Sequence, residues 1–261
     1  MKFITTIFKN KKLTFQMAKN DFKNKFSSTS LGVVWGFIAP IIFMLTYVIV
    51  FEYILKTKSS GEYPFVVWFI PGITIWMFLN EAILNASNSI RTYSYLVKKV
   101  VFPVDVIPVI SIISSFFVTG ILVIFSLVVS CFFGIIPNIL QIIYVLLCAI
   151  IFVISVTRLT SALTTLVSDF GQLLSIGMQL LFWFTPVIWN ISLVDGVLGK
   201  IIRFSPFTYL ITGFREAFVT GDIVSLSNIQ HTIVFWIITL IIYVYGNAVF
   251  SKNKKDFSDV L

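Results

Sequence analysis

The sequence predicts an all-α membrane protein with six transmembrane helices, an N-terminal amphipathic interface helix, a short cytoplasmic helix between the second and third spans, and re-entrant helices before the last span. Three observations predict it. Charged residues are missing from five long windows, Phe26–Phe51, Tyr63–Asn80, Val106–Thr157, Phe170–Val194 and Ile223–Ser251. Crossing a hydrocarbon core about 30 Å thick takes roughly 20 apolar helical residues, so each window suffices for one crossing and the longest for two. Hydrophobic residues make up 58% of the 261-residue chain and charged ones 11%; a soluble fold of that balance could not cover its own surface. Finally, the alternation of barrel strands is absent, and in lipid every backbone amide must be bonded within its own segment or ring. The spans are therefore helices.

Residues 1–30 read as an amphipathic arm on the cytoplasmic surface. Phe3, Ile4, Ile7 and Phe8 recur at helical spacing with Lys9, Lys11 and Lys12 on the polar side, and Leu13, Met17, Phe22 and Phe26 continue the pattern among Lys19, Lys23 and Lys25. Such an arm serves either as an anchor or as a collar that also touches a cytoplasmic partner. The first 25 residues hold seven lysines and no apolar block, so no cleavable signal is expected in them. A six-span domain then occupies 31–250, with spans near 32–55, 64–86, 106–133, 139–165, 172–191 and 232–250, and a cytoplasmic tail occupies 251–261. Gly134-Ile135-Ile136-Pro137-Asn138 breaks the longest window and predicts a hairpin of two helices.

The second connection carries Ile90, Tyr93, Val97 and Val100 at the spacing of one apolar helix face, with Arg91, Lys98 and Lys99 available to a cytoplasmic surface and Pro103 ending the helix. This is either a docking element or a solvated basic loop. After the fifth span, Trp183-Phe184-Thr185-Pro186 breaks the helix, and the run from Tyr209 to Val219, interrupted by Arg215 and Glu216, is too short and too polar for a standard span. A re-entrant or interfacial pair of short helices near an exit fits it.

Lysine and arginine gather in the arm, in the second connection and at Lys252, Lys254 and Lys255, so both termini are expected in the cytoplasm. The outer side has Lys56 and Lys58, then a mixed stretch of Asp195, Lys200, Arg203, Arg215, Glu216 and Asp222. The net charge of +8 thus reports topology and contact with anionic lipid rather than nucleic acid. Glu52, Glu81, Arg158 and Asp169 are expected within a turn or two of an interface, where snorkelling makes them cheap, and too few sit deeper for an ion relay. Cys131, Cys148 and the lone His231 lack metal-ligand spacing and read as packing residues.

No energy source is encoded. The only Gly-Lys pair is Gly199-Lys200; a phosphate-binding loop needs glycine where Val194 stands and serine or threonine where Ile201 stands. Catalytic triads and zinc clusters are likewise absent from the sequence, so no catalytic residue, no metal and no cofactor is assigned.

Four motif groups in register then resemble the permease subunit of type-2 ABC exporters of polysaccharide, O-antigen or teichoic acid. They are Asp21-Phe22-Lys23 followed by Leu31-Gly32, Trp35 and Pro40; Leu96-Val97-Lys98-Lys99-Val100-Val101-Phe102-Pro103 with Pro108; Asp169 followed by Gln179, Phe182-Trp183 and Pro186-Val187-Ile188; and Pro206-Phe207 followed by Arg215 and Phe218. Ser168 stands where an arginine is common and Ser205 where an asparagine is common.

The resemblance implies a homodimer around a central pathway, two copies of a separate ATP-binding subunit that hold ATP and magnesium, and a lipid-linked glycan as substrate. It implies a bacterial plasma-membrane location, and that the chain itself is not an enzyme. Coupling to the ATPase falls to Arg91, Tyr95, Lys98, Lys99, Phe102, Pro103 and Asp105, and the interface arm contributes Asp21, Lys23, Lys25 and Trp35. Trp68, Trp76, Phe182, Trp183, Phe184 and Trp189, with Arg215 and Glu216, are candidates for the substrate pathway or its exit. Those aromatics stack on sugar faces or form the belt that lines any bilayer interface. Exporters of a drug, peptide or small lipid share this architecture, and a membrane scaffold without transport is the remaining reading.

Overall fold

A computed structural model describes residues 2–27, 29–56, 63–99, 102–220 and 229–261. The arm folds as α1 (Lys2–Lys9) and α2 (Lys11–Lys25). A 3-10 turn, Gly32–Val34, leads into α3 (Trp35–Val48), and a π-helical turn, Ile49–Ile54, prolongs it. Then follow α4 (Phe65–Thr92), the short α5 (Ser94–Lys99), α6 (Ile107–Phe132) after a 3-10 turn at Val104–Val106, and α7 (Ile139–Leu166). The chain continues through α8 (Phe170–Phe184), α9 (Gly196–Arg203), α10 (Pro206–Val219), α11 (Ile229–Asn253) and a last turn of helix, α12 (Phe257–Val260).

Among the described residues, five helical stretches, Gly32–Ile54, Phe65–Thr92, Val104–Phe132, Ile139–Leu166 and Ile229–Asn253, are long and apolar enough to cross a membrane. The region expected to form the fifth of six spans is a 15-residue helix, α8. At 1.5 Å per residue that is about 22 Å, less than a standard hydrocarbon core. The predicted hairpin is present. Gly134 turns it at φ 75°, a left-handed conformation that glycine adopts freely. The Asn138 side chain accepts from Gln141 N at 3.1 Å to cap α7, and Asn138 N donates to the Ala217 carbonyl at 2.8 Å, tying the hairpin to α10.

α4 is the central post. Of its most apolar 18 residues 78% are buried, against 17% for the α3 span and 22% for α11, so those two helices lie at the periphery. Around α4 pack α6, α7 and α10, the last buried through Tyr209, Leu210, Ile211, Phe214 and Phe218. Lipid supplies no hydrophobic drive between helices, so close contact and hydrogen bonds between small polar residues hold them. Thr74 pairs with Ser126 at 3.0 Å to join α4 to α6, and Ser87 pairs with Thr160 at 2.6 Å to join α4 to α7.

The arm does more than lie along a surface. α2 packs against α6, with Ala18 fully buried against Val106 and Ile110, and Phe15 and Phe22 within 5.9 and 5.6 Å of the Phe117 ring. Both chain ends, the end of α4, the start of α6 and the end of α7 meet at one end of the bundle, the terminal end. The α6–α7 hairpin, the break after α8 and α10 meet at the other, the far end.

Candidate functional site

Between α3, α4, α6 and α8 runs a groove of about 540 Å³. Part of its lining is aromatic. Trp76 and Phe182 lie 5.6 Å apart, Phe182 and Trp183 5.4 Å, and Tyr47 and Phe182 6.3 Å, with Phe43 and Pro40 also in the lining. Asn80, Glu81, Thr119, Ser175 and Gln179 add polar groups among aliphatic neighbours such as Met77, Leu122 and Met178. Glu81 Oε1 accepts from Lys25 Nζ at 3.2 Å, Asn85 Nδ2 at 3.3 Å and Ser115 Oγ at 3.2 Å. α4 runs on to Thr92, eleven residues beyond Glu81 (92 − 81), or about 16 Å along the axis. Glu81 thus sits about three helical turns before the end of α4. A carboxylate on so apolar a helix needs water or protein around it, and an open groove with amides and hydroxyls in its lining supplies both.

The groove is linked to the terminal end by polar contacts. Lys25 also lies 3.9 Å from Asp21 Oδ2, and Asp21 Oδ1 accepts a short hydrogen bond from the Tyr93 hydroxyl. Burial, together with that carboxylate, raises the Tyr93 phenol above its ordinary pKa. Tyr93 opens the connector between α4 and α6.

The connector divides its residues between two faces. Tyr95, 54% exposed, and Lys98 face outward. Tyr93, Val97, Phe102 and Val104 face inward, onto Ile90, Ile107, Ala162, Phe250 and Phe257. The apolar face that the sequence offered to a partner is thus covered by the chain's own tail, because α12 folds back onto α5 and α7 and seats Phe257 in the cluster. Arg91 also turns inward and donates to the Thr165 and Ser168 carbonyls at 3.4 and 3.5 Å, a cation at the C-terminal end of α7. Pro103 precedes the 3-10 turn, and Asp105, 8% exposed, is held by Arg158 at 2.9 Å and Lys254 at 2.7 Å. Lys99 is the last residue of α5; Val100, Val101, Lys58 and Asp222 lie outside the described residues.

Arg158 does not snorkel. It is 2% exposed, donates to Asn247 Oδ1 at 2.8 Å, and has the Phe3 and Phe250 rings 4.2 and 3.8 Å from its guanidinium. The expectation of a cheap interfacial arginine fails because the arm, α11 and the tail close over it. Arg158, Asp105 and Lys254 form a knot that joins α7, the connector and the tail.

At the far end, Arg215 is 6% exposed. Its Nε donates to the Trp68 carbonyl at 3.0 Å and its Nη2 to those of Pro186 and Val187 at 2.9 Å each, and the Trp68 ring lies 3.6 Å from the guanidinium. This clamp fastens the break after α8 to α4 and α10. Gly72 makes room for it: a Cβ there would stand 2.5 Å from Arg215 Nη2.

Among the aromatics assigned from sequence, Trp76, Phe182 and Trp183 share the groove, whereas Trp68 belongs to the clamp. Trp189 donates to the Trp183 carbonyl at 3.1 Å and Phe184 is 56% exposed. Glu216 lines a small recess with Arg203, Thr212 and His231. Lys23 and Trp35 are exposed. Sequence reasoning missed Lys254, Asn247 and Phe257 in the knot. It also passed over the stripe Glu81, Asn85 and Asn88, whose spacing of four and then three puts amides and a carboxylate on one helix face.

The family profile described as "ABC-2 type transporter" matches residues 12–219. An "O-antigen export system permease protein RfbA" of Klebsiella pneumoniae is 25% identical over 252 residues, 94% of this chain and 93% of its own length. A second protein of that name and organism is 24% identical over 250 residues, again 94% and 93%. One from Myxococcus xanthus is 18% identical over 263 residues, 99% of each chain.

Proposed function

The chain belongs to the ABC-2 type transporter family, and on that premise we propose that it is the membrane permease of an ATP-driven exporter that moves a lipid-linked polysaccharide of the O-antigen class out of the cytoplasm. The groove is the observation that carries this reading. Its aromatic residues offer ring faces to the apolar CH faces of sugars, and the amides, hydroxyls and Glu81 in the same lining offer hydrogen bonds to their hydroxyls. The names of the three relatives agree with it.

In this reading two copies of the chain enclose the pathway, both termini face the cytoplasm, and α8 with its flanking turns completes a sixth crossing. A separate subunit binds and hydrolyses ATP. Closure of the ATPase pair pushes on the exposed face of the connector, Tyr95 and Lys98, as a rigid-body motion. The inward face and the knot then pass that motion to α6, α7 and α11 as one body, while Tyr93, Asp21, Lys25 and Glu81 link it to the groove. The arm acts as a collar on α6, and the tail as a brace for the connector.

Reconstitution tests the proposal. The purified chain alone releases no phosphate from ATP; with the ATP-binding subunit in proteoliposomes, hydrolysis rises when a lipid-linked glycan is added, and the glycan becomes accessible to a lectin on the opposite side. ATP hydrolysis by the chain alone overturns the assignment, as does a complex that hydrolyses ATP yet moves no glycan.

A further inference from the structure

We infer that the groove selects an uncharged glycan over a polymer whose units carry phosphate or carboxylate groups. The inference rests on the reading of the groove as the glycan pathway and deepens it to a substrate class. Its ground is the distribution of charge. Glu81 is the one acid in the groove lining, and among the described residues no lysine or arginine lines the cavity. The nearest cation given to that acid, Lys25, is committed to it at 3.2 Å.

The cations that a polyanion would require are turned elsewhere. All four arginines of the chain are engaged with the protein's own oxygens. Arg91 holds carbonyls at the end of α7, Arg158 holds Asp105 and Asn247, Arg203 holds the Val194 carbonyl at 3.2 Å and Asp195 at 3.6 Å, and Arg215 holds the Trp68, Pro186 and Val187 carbonyls. Phosphate and carboxylate recognition draws on the arginine fork or the lysine point charge; among the described residues neither lines this cavity, and Lys25 at its edge is already paired with Glu81.

A carboxylate facing a polyanion repels it, less strongly where water screens the pair, while the same carboxylate accepts hydrogen bonds from neutral sugar hydroxyls. Asn80 and Gln179 can donate and accept, and Thr119 and Ser175 add hydroxyls, so a neutral sugar finds partners for its hydroxyls and rings for its CH faces in one cavity. Repulsion of the wrong substrate is as much a source of specificity as attraction of the right one.

The test uses the permease with its ATP-binding subunit in proteoliposomes and two glycans of matched length on the same lipid carrier, one neutral and one with a phosphodiester in each repeat. The wild-type complex should translocate the neutral glycan at least about tenfold faster. Glu81→Gln should narrow the gap by admitting the anionic glycan, and Asn80→Lys, which keeps both Lys25 and Glu81 and adds a cation to the lining, should narrow it further. Asn80→Lys also keeps the inference testable if Glu81→Gln fails to assemble. Equal transport of both glycans by the wild type, or an unchanged ratio in both assembled variants, overturns the inference while leaving the exporter reading intact. Movement of neither glycan, with ATP hydrolysis running, defeats the exporter reading and takes this inference with it.

Discussion

Two carboxylates on neighbouring spans, Asp105 and Glu81, illustrate opposite uses of a charge in a membrane protein. Asp105 has 11% of its side chain exposed and two cations of its own; Glu81 has 35% exposed and shares one oxygen among a lysine, an amide and a hydroxyl. The first is enclosed and fixed. The second opens on a cavity. Removing a partner from a closed pair strands a charge in a medium that cannot solvate it, whereas removing one at an open wall lets water take its place. The contrast separates the part of the molecule built to move as one body from the part built to meet a variable solute.

The largest expected effect therefore lies in the knot. Asp105→Ala should cost about 3–5 kcal/mol of stability by leaving Arg158 buried without its carboxylate. Thermal unfolding in detergent and the membrane level of the variant report it, and a wild-type melting temperature would break the contrast. Next comes Gly72→Ala at the far end, where the new methyl group displaces Arg215 and strands carbonyls of Trp68, Pro186 and Val187. A loss of about 2–3 kcal/mol is expected, and Gly72→Ala combined with Arg215→Met should be no worse than Arg215→Met alone if displacement of that side chain is the cause.

A third change separates docking from folding within the connector. Tyr95→Ala with Lys98→Glu should weaken co-purification of the ATP-binding subunit by about 2 kcal/mol, as truncation of an interface anchor does, at unchanged melting temperature. Phe102→Ala, on the packed face, should do the reverse. Loss of partner binding with Phe102→Ala at full stability would invert the two faces. The smallest effect belongs to the open wall: Lys25→Met should alter stability by less than about 1 kcal/mol, because its bridge to Glu81 is part-exposed and solvent-screened. A loss comparable to that of Asp105→Ala would mean that the groove wall is as rigid as the knot.

Much of the fold was legible in the sequence because lipid leaves a chain few options. Charge-free windows fix where helices run, and Gly134 with Asn138 marks the hairpin, since glycine alone turns freely at positive φ and asparagine caps the helix that follows. The groove aromatics Trp76, Phe182 and Trp183 were legible as residue types but not as a group. They come from α4 and α8, and Trp68, eight residues before Trp76 yet on the clamp side of α4, shows that aromatic identity does not determine which surface a ring joins.

By itself the sequence determined that the chain is helical and membrane-embedded, where its hairpin turns, and that it carries no phosphate-binding loop, because these depend on residues near one another along the chain. Only the tertiary structure decided which charges are enclosed and which are offered. Arg158 looked like an interfacial cation until Phe3 from one end of the chain and Lys254, Phe250 and Asn247 from the other closed around it and Asp105. Glu81 was legible as an isolated acid on an apolar span, and the cavity that α3, α6 and α8 leave at its side was not. The energy of a charge in a membrane is set by what surrounds it in three dimensions, and sequence neighbours do not report that.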